Sequence, residues 1–149
     1  MAFVRLMLEN KMIDINKQDA EGLNAFWIAG RCGHGAIMEV LAEKGADIFN
    51  ADRDGNNVLH TAARYADRFN ILEMLLKSRY PSDLRNVNGD TALHIAAQKG
   101  NIEGVIRLVK SGANIDMLNN SCLSPLYLAI LNGKDGEYEC AEHLLEQGA

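Results

Sequence analysis

Apolar residues along the chain fall in short clusters that come in pairs. The first cluster of each pair reads AFWIAG from Ala25, VLHTAA from Val58, ALHIAA from Ala92 and PLYLAI from Pro125. Large side chains mixed with small ones over one or two turns predict a short helix whose alanines let a neighbouring helix lie close. The second cluster reads IMEVLAEKG from Ile37, ILEMLLKSR from Ile71, GVIRLVKSG from Gly104 and CAEHLLEQG from Cys140. Each of these is amphipathic and ends in a charged last turn, which predicts a second, longer helix after each short one.

The pairs recur with a fixed period. An Asp or Asn is followed three residues later by glycine at Asp19 to Gly22, Asp52 to Gly55 and Asn86 to Gly89, and Asn119 to Cys122 is a degenerate fourth copy, with spacings of 33, 34 and 33 residues. Two residues further on stand Asn24, Asn57, Thr91 and Ser124, all side chains that accept a hydrogen bond from the free amides at a helix start. The next position includes Pro125, tolerated where a helix has no amide to donate. Gly45, Gly112 and Gly148 follow three of the second helices, where a left-handed C-cap is needed.

Motifs such as GDTALHIAAQKGN at 89–101 and KGADIFNADRDG at 44–55 resemble the ankyrin repeat, and four copies in register cover nearly the whole chain. The resemblance implies an all-α solenoid of stacked helix-turn-helix units joined by hairpin-like turns. Its repeats span 19–51, 52–85, 86–118 and a truncated 119–149. Residues 1–18, with Leu6, Leu8, Ile13, Asp14, Ile15 and Asn16, read as the outer helix and turn of a partial preceding repeat. The array is expected to begin and end within repeats, as a piece of a longer array with further repeats of the same parent chain on both sides.

Two copies depart from the pattern. The second has one extra residue around Arg64, Tyr65 and Ala66, and Arg79, Tyr80 and Pro81 replace the usual Gly-Ala-Asp at its end. Arginine at positive φ is uncommon, so the chain is expected to leave that helix by another route. The fourth copy inserts three residues within GKDGEYEC and has Cys122 in place of the turn glycine, so irregular loops are expected there.

Composition narrows the setting. At 149 residues and 48% apolar the chain is long enough to bury about 70% of its unfolded surface without disulfides or metal. Three widely spaced cysteines, Cys32, Cys122 and Cys140, argue against a secreted disulfide framework and for a reducing, cytoplasmic location, with the nucleus left open. The N-terminus carries no export signal, and no run of uncharged apolar residues is long enough to insert into a membrane.

Catalytic constellations are missing: there is no GxxxxGK[ST] loop, HExxH helix or GxSxG elbow, and Gly33-His34-Gly35 lacks the third glycine of a dinucleotide fingerprint. No enzyme activity, cofactor or metal is expected. Cys140 and His143 share a helix face, but zinc wants four ligands and packing is the better reading. Asn119-Asn120-Ser121 spells a glycosylation sequon that matters only in the secretory lumen. The resemblance implies that His60 and His94 are structural hydrogen-bonding groups. It also makes Asn16, preceded at a suitable distance by Leu8, a candidate for asparaginyl hydroxylation, although turn geometry alone explains an asparagine there.

In the ankyrin architecture the turn tips and inner-helix ends line a concave groove. The residues this implies as protein-binding include Arg31, Arg53, Asn56, Arg64, Tyr65, Arg85, Val87, Asp90, Lys99, Leu118, Leu123 and Leu131; Leu23 and Glu21 fall on the same face. Arg31, Arg53, Arg64, Arg85 and Lys99 oppose Glu21, Asp54 and Asp90, so this face carries +2 where the whole chain carries −5. The expected function is a non-catalytic protein-interaction module, an adaptor, scaffold or signalling segment. Its partner is expected to be an extended protein segment with acidic residues over the first three repeats and an aliphatic anchor near the fourth. Alternatives are a spacer in a membrane-associated scaffold or channel, and a substrate-recruiting domain of a larger enzyme. Nucleic acid is not expected as a partner, because Asp54 and Asp90 interrupt the basic positions and only Tyr65 is available to stack.

Overall fold

A computed structural model describes residues 14–133 and 138–149. The segment expected to form a partial outer helix, and most of the insertion in the fourth copy, lie outside them. Four helix pairs follow one another: α1 (Ala25–Arg31) and α2 (Gly35–Glu43), α3 (Val58–Arg64) and α4 (Phe69–Lys77), α5 (Ala92–Lys99) and α6 (Ile102–Lys110), α7 (Pro125–Asn132) and α8 (Glu139–Glu146). The inner helices α1, α3, α5 and α7 pack in series, and so do the outer helices α2, α4, α6 and α8. The outer helices begin one or two residues before their apolar clusters. Met38, Leu72, Leu93, Leu108 and Leu144 form the buried spine between the two rows.

Each inner helix starts as its cap residue dictates. The Asn24 and Asn57 Oδ1 atoms and the Thr91 and Ser124 hydroxyl oxygens accept from the backbone N–H of Trp27, His60, His94 and Tyr127. The turn before each cap is equally regular. Oδ1 of Asp19, Asp52, Asn86 and Asn119 accepts from the amides two and four residues on, at 2.8–3.0 Å. Cys122 adopts φ 57°, and its amide donates to Asn119 O at 3.0 Å as the turn glycines do in the other copies. The irregularity expected at Cys122 is absent, because the Asx side chain and not the glycine holds the turn.

The second copy corrects the reading of its helix end. Arg79 takes the left-handed conformation at φ 56°, and the amides of Arg79 and Tyr80 donate to Leu76 O and Leu75 O. Gly45-Ala46, Gly112-Ala113 and Gly148-Ala149 make the same pair of bonds, so the chain leaves α4 by the ordinary route. Tyr80 holds it there: its ring is buried and its hydroxyl donates to Ile48 O at 3.0 Å. A left-handed non-glycine residue costs about 1–2 kcal/mol. Arg79→Gly is therefore expected to stabilise the protein by about 0.5–1 kcal/mol after the added freedom of the unfolded chain is subtracted, as an increase in urea midpoint. The extra residue of this copy is absorbed in a 3-10 turn, Ala66–Arg68, whose Arg68 Nε donates to Arg31 O at 3.1 Å.

Successive repeats are tied by the third residue of each of the first three inner helices. Nε1 of Trp27 donates to Asn56 O at 2.9 Å, and Nε2 of His60 and His94 lies 3.0 and 3.1 Å from Asp90 O and Leu123 O. A carbonyl can only accept, so Nε2 carries the proton in both histidines. Nδ1 is then free to accept the amides of Asn57 and Thr91.

Burial holds both imidazoles below the ordinary value of 6.5, against the opposing pull of the carbonyls and of nearby aspartates. The native rings are neutral while the unfolded chain protonates near 6.5, so this contribution is present above that pH and lost as pH falls below it. The urea midpoint is expected to drop between about pH 7.5 and about pH 5.5, and to drop less in a His60→Gln, His94→Gln variant.

Candidate protein-docking groove

The inner-helix ends and turn tips carry the residues expected to bind, and the structure divides them into three groups. Some are structural. Asn56 is only 8% exposed; its Nδ2 donates to Asp52 Oδ2 and its Oδ1 accepts from Asn86 Nδ2 at 2.9 Å. It ties two repeats together, so its amide is engaged within the chain even where it borders the groove. Leu23 is likewise buried in the core. Asp90 is half-buried and accepts from Asn119 Nδ2 at 2.7 Å.

A second group is exposed but tied back to the chain. Arg53 Nη2 donates to Ala20 O at 2.7 Å. The Arg85 guanidinium donates to Gly89 O and Leu118 O, at 3.2 and 2.9 Å, with Asn120 Oδ1 at 3.4 Å. Both arginines lie against neighbouring repeats, because their reach matches the step between turn tips. Val87 is exposed, but its amide donates to Asp54 O at 3.0 Å.

The third group lines the open face, with Arg31 and Leu131 exposed and Arg64 and Gln98 half-buried. Arg31, Arg64, Gln98 and Leu131 occupy the same position on successive inner helices, and Tyr65, Lys99 and Asn132 follow the last three of them. Arg31 and Arg64 converge with Tyr65 on a cavity of about 310 Å³, lined also by Trp27, Asp52, Asp54, Asn56 and Thr61. Arg31 lies over the Trp27 ring, 5.2 Å from its centroid. Neither arginine is in an ion pair among the described residues. The Asp52 carboxylate in the same cavity accepts from turn amides and from Asn56, and Asp54 stands beside it. At the other end Leu131 is 65% exposed and Leu118 is exposed, whereas Leu123 is half-buried beside a second cavity of about 240 Å³.

Trp27 was not singled out in the sequence as part of this site. Its offset from the cap Asn24 equals that of His60 from Asn57, a signal that would have placed it at the junction between repeats.

The other candidate chemistry stays dispersed. No three His, Cys, Asp or Glu side chains converge as a metal site among the described residues. Cys140 is buried, and burial pushes its thiol up to about 11, away from the reactive thiolate. Cys32 and Cys122 are exposed. Asn16 Oδ1 accepts from Asp47 N at 2.7 Å, joining its turn to the next repeat; Leu8, on which the hydroxylation reading leans, lies outside the described residues. No helix among the described residues is long and apolar enough to cross a membrane.

A stacked array whose turns are bracketed by Asx, cap and third-residue side chains is an ankyrin architecture. The model of the family described as ankyrin repeats (3 copies) matches residues 1–83 and 78–149, and the chain belongs to that family. It is similar to the palmitoyltransferase AKR1 of Lachancea kluyveri, with 30% identity over 155 aligned positions, 100% of this chain and 20% of that protein. It is also similar to neurogenic locus notch homolog protein 1 of Homo sapiens, with 34% identity over 117 positions, 78% of this chain and 4% of that protein. The Mus musculus protein of the same name is 34% identical over 116 positions, 77% of this chain and 4% of its own length. The chain thus spans a fifth or less of these relatives. Ankyrin repeats as a class mediate protein–protein interaction.

Proposed function

We propose that the chain is a non-catalytic docking module, an intracellular adaptor or scaffold segment acting in the cytoplasm or nucleus, that holds an extended segment of a partner protein along its inner-helix ends. The observation that carries this is the graded row Arg31, Arg64, Gln98, Leu131. Cationic side chains without ion-pair partners among the described residues stand at one end, and an exposed aliphatic side chain stands at the other. A partner with acidic residues over the first two repeats and a branched aliphatic residue over the fourth matches both ends. Arginine and tyrosine are the side chains that most often dominate binding energy, and Arg31, Arg64 and Tyr65 share one cavity. Lys99 extends the basic stretch, while Arg53 and Arg85 act chiefly as braces.

The test is selection of a random peptide display library on the immobilised chain, beside an Arg31→Glu, Arg64→Glu variant. Enrichment of sequences with acidic residues followed by an aliphatic one, lost on the variant, is expected. Absence of acidic–aliphatic sequences from the enriched pool, or their equal enrichment on both proteins, would overturn the reading. A second reading, a recruiting domain within a larger enzyme, is favoured by the match of the whole chain to part of a palmitoyltransferase. It is compatible with the same groove.

A further inference from the structure

The outer-helix side of the stack carries a separate cavity that shares no residue with the groove. It measures about 460 Å³ and opens between α2, α4 and the segments that follow them. Its apolar walls include Met38, Ile48, Phe49, Met74 and Tyr80. The cavity follows from the sequence anomaly at the end of α4. Where two other described copies have a small buried alanine, Ala46 and Ala113, this copy has Tyr80. The larger ring reaches back to the preceding repeat. Its hydroxyl donates to Ile48 O, and its ring lies 5.3 Å from the Phe49 ring at 34°. Phe49 is 52% exposed, so an aromatic face stands at the mouth of an apolar cavity.

The charges around the mouth are unequal. Glu39 and Glu43 line the α2 side and Arg79 the other. Asp47 adds a further carboxylate beside Phe49, accepting from the Phe49 amide at 2.9 Å. This rim is acidic where the inner-helix ends of the first two repeats are basic. The size suits one or two inserted side chains, at the low end of small-ligand cavities.

We propose that this cavity is a second docking site, for a partner segment that inserts an aromatic or branched aliphatic anchor flanked by lysine or arginine. The anchor packs on Phe49 and Tyr80, and the flanking cation lies toward Glu39 and Asp47. Because the two faces have opposite charge preference, the module can hold an acidic segment on one side and a basic amphipathic one on the other. The two sites stand or fall separately.

The experiment titrates the full chain, labelled with nitrogen-15, with three short synthetic helical peptides: leucine and tryptophan anchors flanked by lysine, the same anchors flanked by glutamate, and alanines flanked by lysine. The lysine-flanked anchored peptide is expected to shift the Phe49, Met74 and Tyr80 amides and to bind at least about tenfold more tightly than either control. Phe49→Asp is expected to remove that binding, and Glu39→Lys, at an exposed helix position, to shift preference toward the glutamate-flanked peptide. Shifts confined to Arg64, Tyr65 and Gln98 would overturn the proposal and assign the peptide to the groove. No shift, or equal affinity for the alanine peptide, would overturn it as well.

Discussion

Trp27→Ala is expected to lower stability by about 3–5 kcal/mol, the usual cost of removing a buried aromatic ring. Trp27 is 5% exposed, and its loss would remove several things at once. The α1 to α3 contact would lose its largest side chain, Asn56 O would lose the donor that satisfies it at 2.9 Å, and Arg31 would lose the ring beneath its guanidinium. Trp27→His is the informative companion. His60 and His94 fill the same position in the next two repeats and send Nε2–H to the equivalent carbonyl, so histidine at 27 restores a donor and recovers part of the loss. Urea denaturation of the three proteins checks this. A loss below about 1 kcal/mol for alanine, or no recovery with histidine, would mean that the third-residue bracket does not hold the repeats together.

Reversing charge at Arg31 and Arg64 together is expected to weaken binding of the acidic–aliphatic peptide by about a hundredfold, measured by calorimetry at fixed salt. Far-ultraviolet circular dichroism is expected to stay unchanged, since neither guanidinium forms an ion pair among the described residues. Arg53→Ala and Arg85→Ala provide the contrast. Their side chains donate to Ala20 O, and to Gly89 O and Leu118 O, so each is expected to cost stability at about 0.5–1.5 kcal/mol per lost hydrogen bond. Their effect on affinity should be much smaller than that of the double reversal. Equal loss of affinity in all these variants would show that long-range charge, and not the cavity at Arg31 and Arg64, attracts the partner.

Much of the array was legible because its rules are local. The caps at Asn24, Asn57, Thr91 and Ser124, Pro125 at the head of α7, and the glycines after three outer helices act within a turn or two of themselves, so spacing alone revealed them. What sequence reading missed depends on neighbouring repeats. Arg79 adopts a conformation its residue type disfavours because Tyr80 is fixed one repeat away, at Ile48. Asn56 counts as a polar turn residue by position, yet Asn86 buries it from the next turn. Arg53 and Arg85 are long enough to reach the adjacent tip, so a tally of charges treated them as equivalent to Arg31 and Arg64 when their surroundings differ. The outer cavity has the same origin: no local pattern pairs Phe49 with Tyr80, and only the stacking step does.

The measurement that bears most directly on groove docking is a map of the bound peptide. The peptide selected by the wild-type chain is titrated into the nitrogen-15-labelled protein, and amide shifts are followed residue by residue. Docking along the inner-helix ends is expected to shift Arg31, Arg64, Tyr65, Gln98 and Leu131 in one saturating process, leaving α4 and α6 unmoved. Saturable shifts on α4 and α6 with that row silent would contradict it.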